Sequence, residues 1–283
     1  MFALGLEDHL VGVTHECDWP PAARGMRAVT QSALPPAATP NEIDRLVSAM
    51  VDGEDPIYTL DSKAIAELRP DLVLSQDLCK VCAVPSDDVN DALDTLGCRA
   101  DVVSLDPGSL DEVLDCVLAV GEATGTTKRA TSFVEAQRER LRAVSRAVAG
   151  RKRRKTFPLE WSDPPFNGGH WVPDMIDTAG GLPVLCSERM PSVRVTWEEI
   201  REASPEVVVF MPCGYDLDAA SKEAATFAYR AELEGVGGVY AVDASAYFSR
   251  PGPRLVDGVE LLASALHPGA VSAPPAGRMI RVR

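Results

Sequence analysis

Residues 127–150 read TKRATSFVEAQRERLRAVSRAVAG, and the choice between one domain and two turns on them. Ala130, Phe133, Val134, Leu141, Val144 and Val148 mostly recur three or four residues apart, with Arg138, Glu139, Arg140 and Arg142 between them. That spacing gives a helix one apolar stripe and leaves charge on its other faces. Thr126 and Thr127 can cap the start, and Gly150 is placed to end it. The basic run Arg151–Lys155 then sets positive charge at the negative end of the helix dipole. About 23 residues at ~1.5 Å rise span roughly 35 Å, enough to cross a whole domain. Each flank alternates strand and helix, so the expected fold class is α/β: two lobes of mainly parallel sheet flanked by helices, joined by one long backbone helix. The expected boundaries are 1–126 for the N-terminal lobe, 127–150 for the linking helix, and 151–283 for the C-terminal lobe and tail. A single larger α/β domain containing this helix is the competing organisation.

The chain has 283 residues, enough for two modest lobes. Its net charge of −14 argues against nucleic acid as a partner, because phosphate binding relies on a basic surface. No apolar run approaches the roughly 18 residues that a membrane span needs. Met1–Val13 lacks a basic leader and is interrupted by Glu7 and Asp8, so no secretory signal is read there. Seven cysteines at irregular spacing do not describe a disulfide scaffold. The chain as given is therefore expected in the cytoplasm with reduced thiols, and outside it only if the true N-terminus is longer.

Along the chain, Met1–Leu10 reads as the end of a helix and Val11–Thr14 as a short strand. Helices are expected at Asn41–Val51, Asp61–Leu68, Ser86–Leu96, Val172–Ala179, Thr196–Ala203, about Asp218–Leu233 and Arg254–Leu266. Ser109–Ala123 is a further helix, with Ser109 as cap and Glu112 completing a capping box. Strands are expected at Asp71–Ser75, Asp101–Leu105, Thr156–Trp161, Val207–Met211 and Val239–Asp243, with Leu182–Leu185 strand-like. Ser162–Trp171 reads as a loop, and the tail from His267 onward as loosely held.

The unusual residues collect in loops that follow strands. His15, Glu16 and Cys17 follow one strand and Cys79 and Cys82 another. His170 and Trp171 follow the first strand beyond the long helix, Cys213 follows Val207–Met211, and Tyr247, Phe248 and Arg250 follow the last. Loops at equivalent strand ends are expected to face one shared cleft. Cys79-x-x-Cys82 has the spacing of a zinc knuckle or a redox pair, and equally suits two packed thiols. Cys98, Cys116 and Cys186 are expected in the core, and His9 and His267 in solvent. No nucleophile elbow, phosphate-binding loop, dinucleotide fingerprint or HExxH stands in the sequence.

Several stretches carry a family resemblance. Val11-Gly12-Val13-Thr14 leading to Asp18-Trp19-Pro20-Pro21, Pro164-Pro165-Phe166 through Gly180-Gly181, Val195–Trp197 with Ser204-Pro205, and Ser249-Arg250-Pro251-Gly252-Pro253-Arg254 resemble the cobalamin-binding proteins of ABC importers. The match spans roughly residues 1–266. It implies the helical-backbone (class III) substrate-binding fold, with a corrinoid as ligand and an ABC permease as partner. The aromatic of the family's Asp-Tyr-Pro-Pro loop falls on Trp19, and the aromatics lining the second lobe's loops fall on Phe166 and Tyr247. Resemblance implies that these three stack on the corrin ring. This chain departs from the family by starting inside the first helix, without the preceding strand, and resembles a branch lacking a signal peptide.

The expectation is a two-lobed protein that binds a cobalamin or related corrinoid in the inter-lobe cleft without covalent chemistry, and is not an enzyme. Its ligand-binding set is His15, Glu16, Trp19, Phe166, His170, Trp171, Tyr247, Phe248 and Arg250. Two alternatives stay open. One is a metal-dependent or thiol enzyme using His15, Cys17, Cys79, Cys82 and His170, with zinc held by Cys17, Cys79 and Cys82. The other is a binder of haem, a siderophore or another metal chelate.

Overall fold

The computed structural model describes residues 1–35, 39–53, 55–76, 88–89, 93, 99–272 and 275–283. Cys79, Cys82 and Cys98, the Gln76–Pro85 loop beyond its first residue, and most of the expected helix Ser86–Leu96 lie outside the described residues. The chain forms two compact units. Met1–Asp106 with Cys116–Phe133 make the first, and Pro107–Asp115 with Val134–Arg283 make the second.

In the first unit, β1 (Thr30–Ser32) pairs antiparallel with β2 (Tyr58–Leu60). Between them runs α1 (Pro40–Asp52), whose N-terminus closes with a reciprocal capping box between Thr39 and Glu42. α2 (Ser62–Leu68) is capped by Asp61 and ends at Arg69 in the left-handed region. Pro70 follows and cannot continue a helix. β3 (Leu72–Ser75) and β4 (Asp101–Ser104) pair in parallel. Ile65, Val89 and Leu93 form a core under these elements, with Leu60, Val73 and Val102 against it.

Two helices contribute to both units: α3 (Leu110–Ala123) and α4 (Thr127–Val148). The long helix is uninterrupted, and Gly150 ends it with φ +72. Within the first unit α3 and α4 approach so closely that a Cβ at Gly121 would stand 2.3 Å from the Cβ of Ala130. Within the second unit Arg138 of α4 donates to Asp111 and Asp115 of α3 at 2.9 and 2.8 Å.

The second unit is built on one sheet, in the order β10 (Met279–Arg281), β9 (Gly238–Val242), β8 (Val207–Phe210), β5 (Lys155–Ser162), β6 (Pro165–Asn167). β5, β8 and β9 are mutually parallel, β7 (Leu182–Pro183) pairs in parallel with the start of β5, and β6 and β10 are antiparallel. Val207–Met211 is wholly buried, as the continuous apolar run of a strand covered on both faces requires. On one side Phe157, Leu159, Val208, Phe210, Val239 and Ala241 cluster with Ile200 of α6 (Trp197–Ala203) and with Ala220, Ala224 and Phe227 of α7 (Leu217–Phe227). α5 (Val172–Thr178), the single turn α8 (Ala244–Tyr247) and α9 (Leu255–Leu266) complete the unit. Arg140 of α4 grips Glu260 of α9 with two hydrogen bonds of 3.0 and 2.8 Å and also reaches Asp257. Such a bidentate pair fixes orientation as well as adding energy.

Several expectations are corrected. Met1–Leu10 is not a helix end but two 3₁₀ turns, Phe2–Leu4 and Glu7–His9, because Gly5 takes φ +63 and its N–H turns back to Phe2 O. Val11–Thr14 makes one isolated bridge, Val13 to Ala28, rather than a strand. The Ser162–Trp171 loop contains β6, folded back on β5 through the cis Asp163–Pro164 bond. The helix expected to reach Leu233 stops at Phe227, where Arg230 turns extended and Ala231–Leu233 forms a 3₁₀ turn. The tail is not loosely held: β10 pairs with β9, and the Arg283 guanidinium donates to the carbonyls of Ala228, Leu233 and Val236. His267 is buried against Gly180 O at 3.1 Å, not in solvent. Cys186 sits half-buried in a loop, and burial pushes its thiol up to about 12. At α3, Ser109 caps as expected, and the Glu112 carboxylate accepts mainly from the N–H of Gly108, with the Ser109 N–H bonded to it as well.

α9 depends on Gly258. A Cβ there would meet Tyr247 O at 2.3 Å and Met175 Cε at 2.7 Å. Alanine would gain about 1 kcal/mol of helix propensity, but overpacking against a backbone oxygen costs about 1–3 kcal/mol. Gly258→Ala is therefore expected to lower the urea midpoint with an unchanged slope, the clash outweighing the propensity.

Candidate functional site

Because β5, β8 and β9 are parallel, the segments that leave their C-terminal ends lie along one edge of the second unit's sheet. Aromatic side chains concentrate on those segments. Trp161 is the penultimate residue of β5 and is in register with Phe166 of β6. Tyr215 follows β8, and Ser245 N–H on the segment after β9 donates to its carbonyl at 3.3 Å. Tyr247 closes α8, which Asp243 caps through the Ala246 N–H. Trp161 and Tyr215 meet edge to face with centroids 5.8 Å apart, and both are half-buried. The Arg278 and Arg254 guanidiniums lie 5.0 and 5.8 Å from the Tyr247 ring centroid, and Arg194 lies 5.5 Å from that of Phe166.

The polar groups of this edge are arranged around those rings. Glu223 of α7 accepts from the Ser162 hydroxyl and is hydrogen-bonded to Tyr215. Burial, with the Glu223 charge behind it, pushes the Tyr215 phenol up to about 12. Tyr215 therefore offers its ring, while its proton is held by Glu223. Ser249 Oγ is, among the described residues, the buried hydroxyl without a hydrogen-bond partner, a group that an added donor or acceptor would satisfy.

The structure separates the expected residues into two kinds. Phe166, His170, Tyr247 and Arg250 are half-buried on the second unit's edge segments. Trp171 and Phe248 are not surface contacts but core: they are 5% and 1% exposed, and the Trp171 indole N–H donates to Phe248 O at 2.8 Å. Their aromatic character in a loop gave no sign of this burial. Trp161 and Tyr215 were missed, since one reads as strand and the other as the approach to a helix. The alternation of Trp161 at the end of a buried run was the available signal.

In the first unit, Trp19 is 57% exposed on the segment that enters the cis Trp19–Pro20 bond. His15 is held by Thr30, with Nδ1 and the hydroxyl 2.7 Å apart, and its Nε2 lies 3.6 Å from Glu16. Its ring tilts against Tyr58 at 5.4 Å. Cys17 is exposed, with its sulfur 3.2 Å from the Thr14 hydroxyl. Among the described residues no group of three His, Cys, Asp or Glu side chains is placed to hold a metal ion. Nor is any described helix long and apolar enough to cross a membrane.

A model of the periplasmic binding protein family matches residues 1–233. A Vitamin B12-binding protein of Vibrio cholerae is 23% identical over 277 residues, which cover 94% of this chain and 84% of the relative. Among solved structures, the periplasmic Vitamin B12 binding protein BtuF of Vibrio cholerae matches with a TM-score of 0.67 at 23% identity, over 94% of this chain and 91% of that one. A periplasmic heme binding protein from Pseudomonas aeruginosa matches with a TM-score of 0.70 at 19% identity, over 99% and 92%. At such identities the structural likeness establishes the fold alone.

The Tyr215–Glu223 pair has a pH signature. A phenol whose folded value is raised contributes stability that is fully present below the ordinary value of 10 and is lost as pH rises toward 12. Tyr215→Phe is expected to flatten that alkaline loss relative to wild type. The check is chemical denaturation at pH 9 and 11 alongside ultraviolet titration of the tyrosines.

Proposed function

The chain belongs to the periplasmic binding protein family, and from that premise we propose that it binds a corrinoid, cobalamin or a close relative, without covalent chemistry. The observation that carries this reading is the row of half-buried rings along one sheet edge: Trp161, Phe166, Tyr215 and Tyr247. A corrin presents a broad apolar face with a polar fringe, and flat rings backed by arginines and a carboxylate suit both parts. The B12-binding relative from Vibrio cholerae supports the same ligand. Exposed Trp19 in the first unit is a further ring of the same kind and stays within the proposed contact set. So do His15, Glu16, Phe166, His170, Tyr247 and Arg250, whereas Trp171 and Phe248 are left to the core.

The import role follows as part of the proposal: ligand capture for an ABC permease, outside the cytoplasmic membrane, in keeping with the family's periplasmic description. Release of the protein by osmotic shock of its native host, as against retention with cytosolic enzymes, checks the compartment. The zinc site and the thiol or metal enzyme are not carried further, since Cys79 and Cys82 lie outside the described residues and no other set assembles among the described ones. Haem is the second ligand, because a periplasmic heme binding protein from Pseudomonas aeruginosa shares the fold and His170 offers a half-buried imidazole on an edge segment of the second unit.

Calorimetric titration with cyanocobalamin is expected to show saturable one-to-one binding. Replacing Trp161, Phe166 or Tyr247 by Ala is expected to cost about 1–3 kcal/mol each from lost apolar burial. Unchanged affinity in the triple variant would reject the aromatic edge as the site, and failure of wild type to bind any corrinoid would reject the ligand.

A further inference from the structure

Residues 278–283 lie beyond the stretch 1–233 that the family model matches. From Met279 onward their contacts are those of an edge strand and its anchor. Met279, Ile280 and Arg281 are in register with Val242, Ala241 and Tyr240 of β9. Arg281 donates to Gly237 O, and Arg283 donates to the carbonyls of Ala228, Leu233 and Val236. Arg278 has different partners. Its carbonyl accepts from the Asp243 N–H at 3.1 Å, and the Asp243 carbonyl accepts from the Tyr247 N–H at 3.1 Å. Its guanidinium lies 5.0 Å from the Tyr247 ring centroid, nearer than the Arg254 guanidinium at 5.8 Å.

Tyr247 needs such a neighbour. The turn that carries it has four residues, Ala244–Tyr247, and one helical turn has little stability of its own. Its carbonyl is fixed by close approach to Gly258, where a Cβ would stand 2.3 Å away. Its half-buried ring is not fixed by that contact, because rotation about χ2 of a tyrosine is broad. A cation over the ring face supplies the missing restraint. The Arg278 guanidinium is itself aimed: its Nη1 stands 3.5 Å from Asp257 Oδ2, while Arg140 of α4 holds Asp257 Oδ1. A continuous line of contacts therefore runs from the long helix through Arg140, Asp257 and Arg278 to the ring.

We propose that Arg278 is a positioning residue for the ligand site, holding the Tyr247 ring in the orientation that a flat ligand meets. This step rests on the ligand-binding reading above. The electrostatics agree with the geometry. Burial raises the Tyr247 phenol, the charges of Arg278 and Arg254 pull it back, and those of Asp243 and Asp257 oppose them.

The experiment compares Arg278→Ala and Arg278→Lys in the whole chain, each with and without Tyr247→Ala, using cyanocobalamin as the probe. Asp257 keeps Arg140 in both variants, so no carboxylate is left unpaired. Arg278→Met, which retains the apolar stem, replaces the alanine should that variant fail to fold. Arg278→Ala is expected to weaken binding about three- to tenfold, the span of one lost ring–cation contact. Lysine should recover part of it. In the Tyr247→Ala background the same change should cost nothing further, because the two residues act as one unit. A loss of equal size in that background, or no loss in either, would overturn the positioning role. Ultraviolet titration, with the Tyr247→Phe counterpart of each protein subtracted, gives a readout independent of ligand. The Tyr247 midpoint should rise in Arg278→Ala and return in Arg278→Lys. If wild type binds no corrinoid, the ligand reading falls and this midpoint decides alone: a rise supports the hold on the ring, and an unmoved midpoint overturns it.

Discussion

No side chain of Val207–Met211 can face water, and that constraint organises the second unit. A strand buried on both faces must lie inside a sheet with helices on either side, and parallel neighbours require crossovers long enough to supply those helices. β5, β8 and β9 meet the requirement, with α6 and α7 closing one face. Every segment leaving the three strands then emerges at the same edge. The concentration of aromatic rings there is thus a product of strand direction first and of residue choice second.

Much of this was legible because the physical signals were strong and local. The apolar stripe of Thr127–Val148, the cap residue Ser109, and the uninterrupted valines of β8 each admit few alternatives. What escaped depended on partners far away in the chain. Nothing near Met279 announces a strand, because β10 exists only against β9. Phe227 ends α7 although helix-forming residues continue, since the backbone turns at Arg230 into the carbonyl arrangement that Arg283 completes. His267 reads as a tail residue and is in fact enclosed by the glycine turn at Gly180.

The family resemblance read from the sequence is borne out by the match over residues 1–233. For the candidate site the sequence was better at naming segments than side chains. Of the loops expected to follow strands, the one bearing Tyr247 and Arg250 follows parallel β9, whereas His15–Cys17 follow an isolated bridge and His170–Trp171 follow the antiparallel β6. Which rings stay open was decided by packing that no local pattern encodes: Trp171 and Phe248 fill the core through a hydrogen bond spanning distant parts of the chain. Tyr215 gained its position from Trp161 and its proton partner from Glu223, neither of them adjacent in sequence.

The antiparallel strand β10 bears on how the chain survives its own synthesis. β9 is made well before β10, and until the later residues emerge one side of β9 is a row of unpaired amides and carbonyls. Such an edge templates pairing with any other extended chain nearby. β10 closes it with a strand of only three residues, short enough to make a poor template in turn. Arg281 adds charge to that border while its guanidinium occupies Gly237 O. The vulnerable interval is therefore confined to the nascent polypeptide, before β10 has emerged to pair with β9.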